Sequence, residues 1–232
     1  MIPEALAAGL LFTAAPDAAP AEQRLVLGRS HGGRPIVVHR LGDFDSPRKV
    51  LAVGCIHGNE CQGTRITRRL VRGAPPAGLE LWVVHQLNPD GRRLGLRQNA
   101  RGVDLNRNFG SQWIPIGSRW DPTYPGPRPW SERETRLARD LVLRIRPEVT
   151  IWYHQPQAVV RAWRASRRIA RRYARLAGEP YRSLRWPNGT APNWQNHRFR
   201  RATSFVVELP AGTLSDGRAA RHARAVRRVL GP

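Results

Sequence analysis

Residues 49–61 read KVLAVGCIHGNEC, an apolar run that stops at Ile56 and turns at once into His57, Gly58, Asn59 and Glu60. Unbroken apolar residues over 49–56 suit a strand covered on both faces, the condition of a strand inside a parallel sheet. Similar runs recur in LELWVVHQL (79–87), EVTIWYHQ (148–155) and SFVVELP (204–210). Helical patterns separate them at 61–72, 131–147, 164–177 and 215–230. In the second of these, Ser131 and Glu134 have the spacing of a capping box. Leu137, Leu141, Val142 and Ile145 supply its apolar face, and Pro147 ends it. Residues 24–42 read as two short strands about Gly32 and Gly33. The alternation predicts an α/β fold with a mixed, mostly parallel central sheet and helices on both faces. Residues 88–130 are rich in Gly, Pro, Asn and Arg and predict no regular element. A loop of that length in a compact domain is usually there for function.

Ligands of open α/β sheets bind beyond the carboxyl ends of the strands. His57, His154 and Glu208 all fall at such ends. His57 and Glu60 sit three residues apart where a strand gives way to a helix, so one short turn can aim both at a point. His154 closes TIWYH as its apolar run stops. Two imidazoles and a carboxylate, with a fourth position left open, form a catalytic zinc set. Glu208 is the lone acid of its strand. A carboxylate outside the metal shell is needed to take a proton from water, and burial raises its pKa toward that use. His31, His39, His85, His197 and His222 read as structural. Cys55 and Cys61 flank the motif and read as small buried side chains rather than as a disulfide framework.

The chain has 232 residues, enough for one domain with a full core. Lys+Arg of 39 against Asp+Glu of 17 leaves a net charge of +22, nearly all of it arginine, since Lys49 is the only lysine. Such a balance fits either an arginine-favouring genome or an anionic partner such as nucleic acid, a membrane surface or a charged wall polymer. Nucleic acid is not the expected partner, because an arginine-rich binding domain explains the charge and none of the His/Glu constellation, and no basic motif interleaved with aromatics is present. Residues 5–15, ALAAGLLFTAA, have the length of a secretory apolar core but no basic residues before them. Residues 1–23 are therefore set apart as a leader or signal-like segment, and 24–232 as the catalytic domain. Two compartments stay open: extracytoplasmic if 1–23 is a truncated signal peptide, cytoplasmic otherwise. No apolar run approaches about 18 residues, so no membrane span is expected.

HGNE (57–60), NPDG (88–91) and RQNARGVDLNRNF (97–109) together resemble the motifs of the zinc metallocarboxypeptidases of the carboxypeptidase A type. The resemblance runs from about residue 24 to 210, and it is strongest toward compact bacterial murein peptide amidases. It implies one zinc per chain on His57, Glu60 and His154, with Glu208 as general base. It also implies that Arg97 stabilises the oxyanion, in preference to Arg101, while Asn106 and Arg107 clamp the substrate's terminal carboxylate. A guanidinium grips a carboxylate bidentately, which agrees with that last role. The implied reaction is hydrolysis of an amide bond next to a free terminal carboxylate, in peptides generally or in murein peptides at the γ-D-glutamyl-diaminopimelate bond. One departure stands out: RWPNGTAPNWQNHRF (185–199) lacks the tyrosine this family often carries before its general base. Tyr181 lies early, and Trp186 or Trp194 is the expected substitute lining the pocket.

Overall fold

Among the described residues, eight strands form one mixed sheet in the spatial order β1-β2-β4-β3-β5-β8-β6-β7. They are β1 (Ala21–Arg29), β2 (Pro35–Gly42), β3 (Lys49–Val53), β4 (Glu80–Val84), β5 (Val149–His154), β6 (Gln157–Ala162), β7 (Tyr181–Ser183) and β8 (Thr203–Pro210). The computed structural model describes residues 21–230. The expectation for 1–23 therefore lies outside the described residues except at 21–23, which already belong to β1. Strands β4, β3, β5 and β8 run parallel at the centre, flanked by antiparallel pairings of β2 with β4 and of β6 with β8. Every residue of β4 and β5 is buried, as the unbroken apolar runs require.

Neighbouring residues of β5 show that both faces are covered. Trp152 points to one side, where Phe109 packs against it and Trp194 and Trp130 continue the aromatic cluster. Tyr153 points to the other, where its hydroxyl meets that of Tyr173 at 2.8 Å and its ring lies against His222. The second face carries α1 (Gly63–Arg72), α4 (Arg167–Ala177) and α6 (Asp216–Arg228). The first carries α5 (Ala191–Arg198) and the long segment between α2 (Pro89–Leu94) and α3 (Arg133–Ile145). No helix among the described residues is long and apolar enough to cross a membrane.

The segment 95–130 is irregular but anchored. Fully buried Asn108 is its hub, with Nδ2 within 3.0 Å of Pro125 O, Arg128 O and Ser131 Oγ. Its Oδ1 accepts from Glu132 N at 3.2 Å and from the Thr135 hydroxyl at 2.7 Å. Glycines set the other close approach: a Cβ on Gly58 would overlap the backbone of Gly91 and Arg92, so HGNE and NPDG pack main chain to main chain. Asn88 fastens that contact. Its Oδ1 accepts from Gly91 N at 2.9 Å, and its Nδ2 donates to Gln98 O at 3.1 Å.

Three expectations are corrected. The capping box of α3 does not form: Glu132 is the N-cap without a side-chain bond, and Ser131 Oγ donates to Glu132 instead. Glu134 turns inward to accept from His31 N at 2.9 Å and Asn99 Nδ2 at 3.3 Å. Cys55 and Cys61 are not separate side chains but a disulfide, with Cα atoms 4.7 Å apart. Finally, α2, β6, β7 and α5 are regular elements in stretches where the sequence predicts none.

Candidate active site

The site lies at the carboxyl ends of β3, β5 and β8. After β3, the turn 54–62 brings His57 and Glu60 back over the strand end, and β5 ends on His154. His154 and Glu208 are direct partners in the β5–β8 ladder, so the backbone register sets them side by side. The three expected ligand atoms converge. His57 Nδ1 and His154 Nδ1 are 3.1 Å apart, and Glu60 Oε2 lies 2.9 Å from the first and 3.0 Å from the second.

That donor set fits zinc. Ligands about a tetrahedral zinc with roughly 2.0–2.1 Å bonds stand about 3.3 Å apart, close to the triangle found here. The tautomer of His57 fits as well. His57 Nε2 lies 2.9 Å from Asp104 Oδ1, so with the proton on Nε2 that nitrogen donates to the carboxylate and the Nδ1 lone pair faces the triangle. Burial opposes the charge on Asp104, but His57 and Arg97 outweigh it and hold the carboxyl well below its usual range. Burial likewise opposes ionisation of Glu60, and its bonds to His154 and His57 reverse the balance, so it stays a carboxylate. Burial lowers the His154 pKa to about 4, keeping that ring neutral.

Glu208 sits next to the triangle and differs from every other acid nearby. Among the described residues its Oε2 has no hydrogen-bond partner, and Oε1 has only Arg161 Nη1 at 3.5 Å. Burial, and after it the charge of Glu60, push its pKa up to about 7. A carboxyl poised there can accept and return a proton near neutrality.

Arg97 bridges the ligands and the loop. Its Nη1 pairs with Glu60 Oε1 at 2.5 Å, Nη2 with Asp104 Oδ2 at 3.0 Å, and Nε donates to Pro122 O at 2.9 Å. Arg101 turns away, toward Glu132 at 3.4 Å. Asn106 Nδ2 lies 3.3 Å from His154 Nε2, and its Oδ1 accepts from Ala191 N at 2.9 Å. Arg107 donates to Asn106 O at 2.8 Å, and burial lowers its pKa. All seven expected residues, His57, Glu60, Arg97, Asn106, Arg107, His154 and Glu208, line one cavity of about 240 Å³.

A zinc carboxypeptidase family model matches residues 17–186. The chain belongs to the zinc carboxypeptidase family. Among relatives of this zinc carboxypeptidase-family chain is murein peptide amidase A of Escherichia coli (strain K12), 34% identical over 148 residues. That match spans 57% of this chain and 61% of the relative, so the chain aligns with about three fifths of that protein. The crystal structure of murein-tripeptide amidase MpaA from Escherichia coli O157 superposes with a TM-score of 0.70 at 26% identity, covering 89% of this chain and 91% of that one. Carboxypeptidase A from Helicoverpa armigera shares the fold, with a TM-score of 0.75 at 20% identity over 90% of this chain and 68% of its own.

Within this zinc carboxypeptidase fold, Trp186 lines the cavity and no tyrosine is among its lining residues. Trp194 does not line it; it packs on Phe109 and Trp130. Tyr181 lies on β7, outside the cavity lining. Two residues of the site escaped the sequence reading. Asp104 is a single acid between apolar Val103 and Leu105, the same kind of signal that marked Glu208. Arg161 follows two valines in QAVVRA, and nothing in the local pattern says that it faces the cavity.

Proposed function

We propose that this chain is a zinc-dependent peptidase. It hydrolyses the amide bond before a residue with a free terminal carboxylate, in murein peptides at the bond between γ-D-glutamate and diaminopimelate. The observation that carries this reading is the pairing of Glu208 with His154 across one rung of the sheet, beside a triangle of three metal donors. Zinc held by His57, Glu60 and His154 supplies Lewis-acid polarisation and brings the pKa of water to roughly 7.

The protein's own groups do the rest. Glu208 takes a proton from the attacking water and returns it to the leaving amine, for which a pKa near neutrality suits it. Arg97, held against Glu60 and Asp104, places positive charge beside the developing oxyanion. Arg107 and Asn106 hold the terminal carboxylate and fix which bond lies over Glu208. Murein as the substrate class is supported by the resemblance to murein peptide amidases and by the +22 charge, which draws the protein toward an anionic wall.

Incubation of zinc-loaded protein with murein tripeptide and with ordinary peptides, products read by mass, tests the proposal. Release of diaminopimelate is the expected result. Cleavage of ordinary peptides alone would replace murein with general peptides, and cleavage of neither would remove the reading.

A further inference from the structure

The cavity holds three guanidinium groups, from Arg97, Arg107 and Arg161. The first is paired with Glu60 and Asp104. The second is assigned above to the substrate's terminal carboxylate. The third has no such assignment. Arg161 rises from β6, where it pairs with Val206 across the β6–β8 ladder, two residues before Glu208 on β8. Its side chain is four-fifths buried, at 20% exposure, and its Nε is buried with no hydrogen-bond partner among the described residues. Among the described residues its Nη1 reaches only Glu208 Oε1 and Gln157 Oε1, both at 3.5 Å, the outer limit of a bond. Glu208 must exchange a proton during turnover, so it is not a permanent counter-ion. Arg107 and Arg161 are also close enough for the charge of Arg161 to disfavour that of Arg107.

A guanidinium kept from water with open donors is costly unless something pairs with it. Its place says what. A substrate whose cut bond lies over Glu208 and whose terminal carboxylate meets Arg107 sends its last side chain into the same cavity. Trp186, Pro187, Pro192 and Val206 offer apolar walls for the stem of that side chain, and Arg161 offers a cation for its end. We infer that Arg161 is a specificity-determining residue that recognises a second carboxylate on the residue released by the cut. The inference rests on the peptidase reading above and deepens it by naming the side chain that selects the leaving residue. The shared chemistry is a dicarboxylate, found both in diaminopimelate and in a glutamate terminus.

The test uses the zinc-loaded protein and two matched pairs of peptides, ending in diaminopimelate or lysine and in glutamate or glutamine. Each pair differs by one charged carboxylate. Wild type is expected to favour the dicarboxylate member of at least one pair by about 10–100-fold in kcat/KM, the worth of a charge-assisted hydrogen bond away from bulk water. Arg161→Gln should bring that ratio to near one, and Arg161→Lys should keep part of it. Preference in the lysine pair alone identifies diaminopimelate, and preference in the glutamine pair alone identifies acidic peptides. Calorimetric binding of the free amino acids gives a readout apart from turnover and should show the same loss in the glutamine variant.

If wild type cuts all four peptides without preference, the assignment of Arg161 is overturned while the peptidase reading stands. If it cuts none, the peptidase reading itself has failed. If Arg161→Gln slows both members of a pair equally and moves the pH profile, Arg161 only adjusts Glu208 and the inference is again overturned. Should the glutamine variant not fold, the wild-type ratios and the lysine variant decide the matter.

Discussion

Asp104 offers the sharpest check on how the site is built. It is fully buried, and its two oxygens do different work. Oδ1 faces His57 Nε2 at 2.9 Å and accepts from Asn106 N at 2.8 Å. Oδ2 accepts from Arg97 Nη2 at 3.0 Å and Nε at 3.2 Å. Asp104→Asn can keep its amide oxygen on the His57 side, which places an NH2 group against the Arg97 donors. That variant should therefore hold His57 in register but lose charge, weakening zinc about tenfold. Asp104→Ala removes the acceptor as well and should weaken zinc about 100-fold; outer-shell partners of metal-bound histidines are typically worth 10–100-fold. Without metal, both variants leave Arg97 short of one partner. Loss of a fully buried pair costs roughly 3–5 kcal/mol. Arg97 keeps a quarter of its side chain in solvent and retains Glu60, so about 2–3 kcal/mol is expected here. For a chain of this size that is a fall in Tm of about 4–12 °C. Chelator competition measures the zinc affinity, and melting of the metal-free protein measures the second effect. A folded Asp104→Ala protein that binds zinc within threefold of wild type would refute the reasoning.

Glu208→Gln should keep its zinc and its melting temperature and lose about 10²–10⁴ in kcat; turnover near the wild-type rate would end its role as base. Arg107→Ala should chiefly raise KM, because its partner is present throughout the reaction, whereas Arg97→Ala should chiefly lower kcat. Steady-state kinetics with unchanged zinc content separates the two, and the opposite pattern would exchange their roles. His85 gives a pH dependence remote from the metal. Burial first, then His39, Arg68 and Arg72, lower its pKa to about 4 from an ordinary 6.5. Between those values the unfolded chain binds more protons than the folded one, so stability drops as pH falls from 6.5 toward 4. Denaturant titrations at pH 7 and pH 5 should show a smaller loss in His85→Gln than in wild type, and equal losses would exclude the effect.

What the sequence made legible followed from burial. Strands β3, β5 and β8 are covered on both faces, so their apolar runs stand out, and the polar residues that end them are conspicuous. His57, Glu60, His154 and Glu208 are visible for that reason. Arg97, Asn106 and Arg107 came instead from a resemblance, because one arginine in this chain looks like the next. Arg161 shows the difficulty, since only the pairing of β6 with β8 turns it toward the cavity. Helix α5, APNWQNHR, shows no helical signature in the sequence because its buried residues include Asn193 and Gln195, so it carries no apolar stripe. The failed capping box of α3 has a tertiary cause: Glu134 turns inward, where it accepts from His31 N and Asn99 Nδ2.

The Asn108 hub bears on how this cleft can change. One buried amide joins residues 125, 128, 131, 132 and 135, so the segment that carries Arg97 and Arg107 opens only together with the start of α3. Such a segment is a poor lid, and in hydrogen exchange it should protect like core rather than like loop. New selectivity therefore has little room to arise there without loosening the arginines at the same time. The opposite rim, residues 186–190 together with β6, meets that frame at Gly189, whose backbone packs on Arg107 and bonds to Phe109 and Ser111. Variation among descendants of this scaffold should collect on that rim, while the hub and its amide stay fixed.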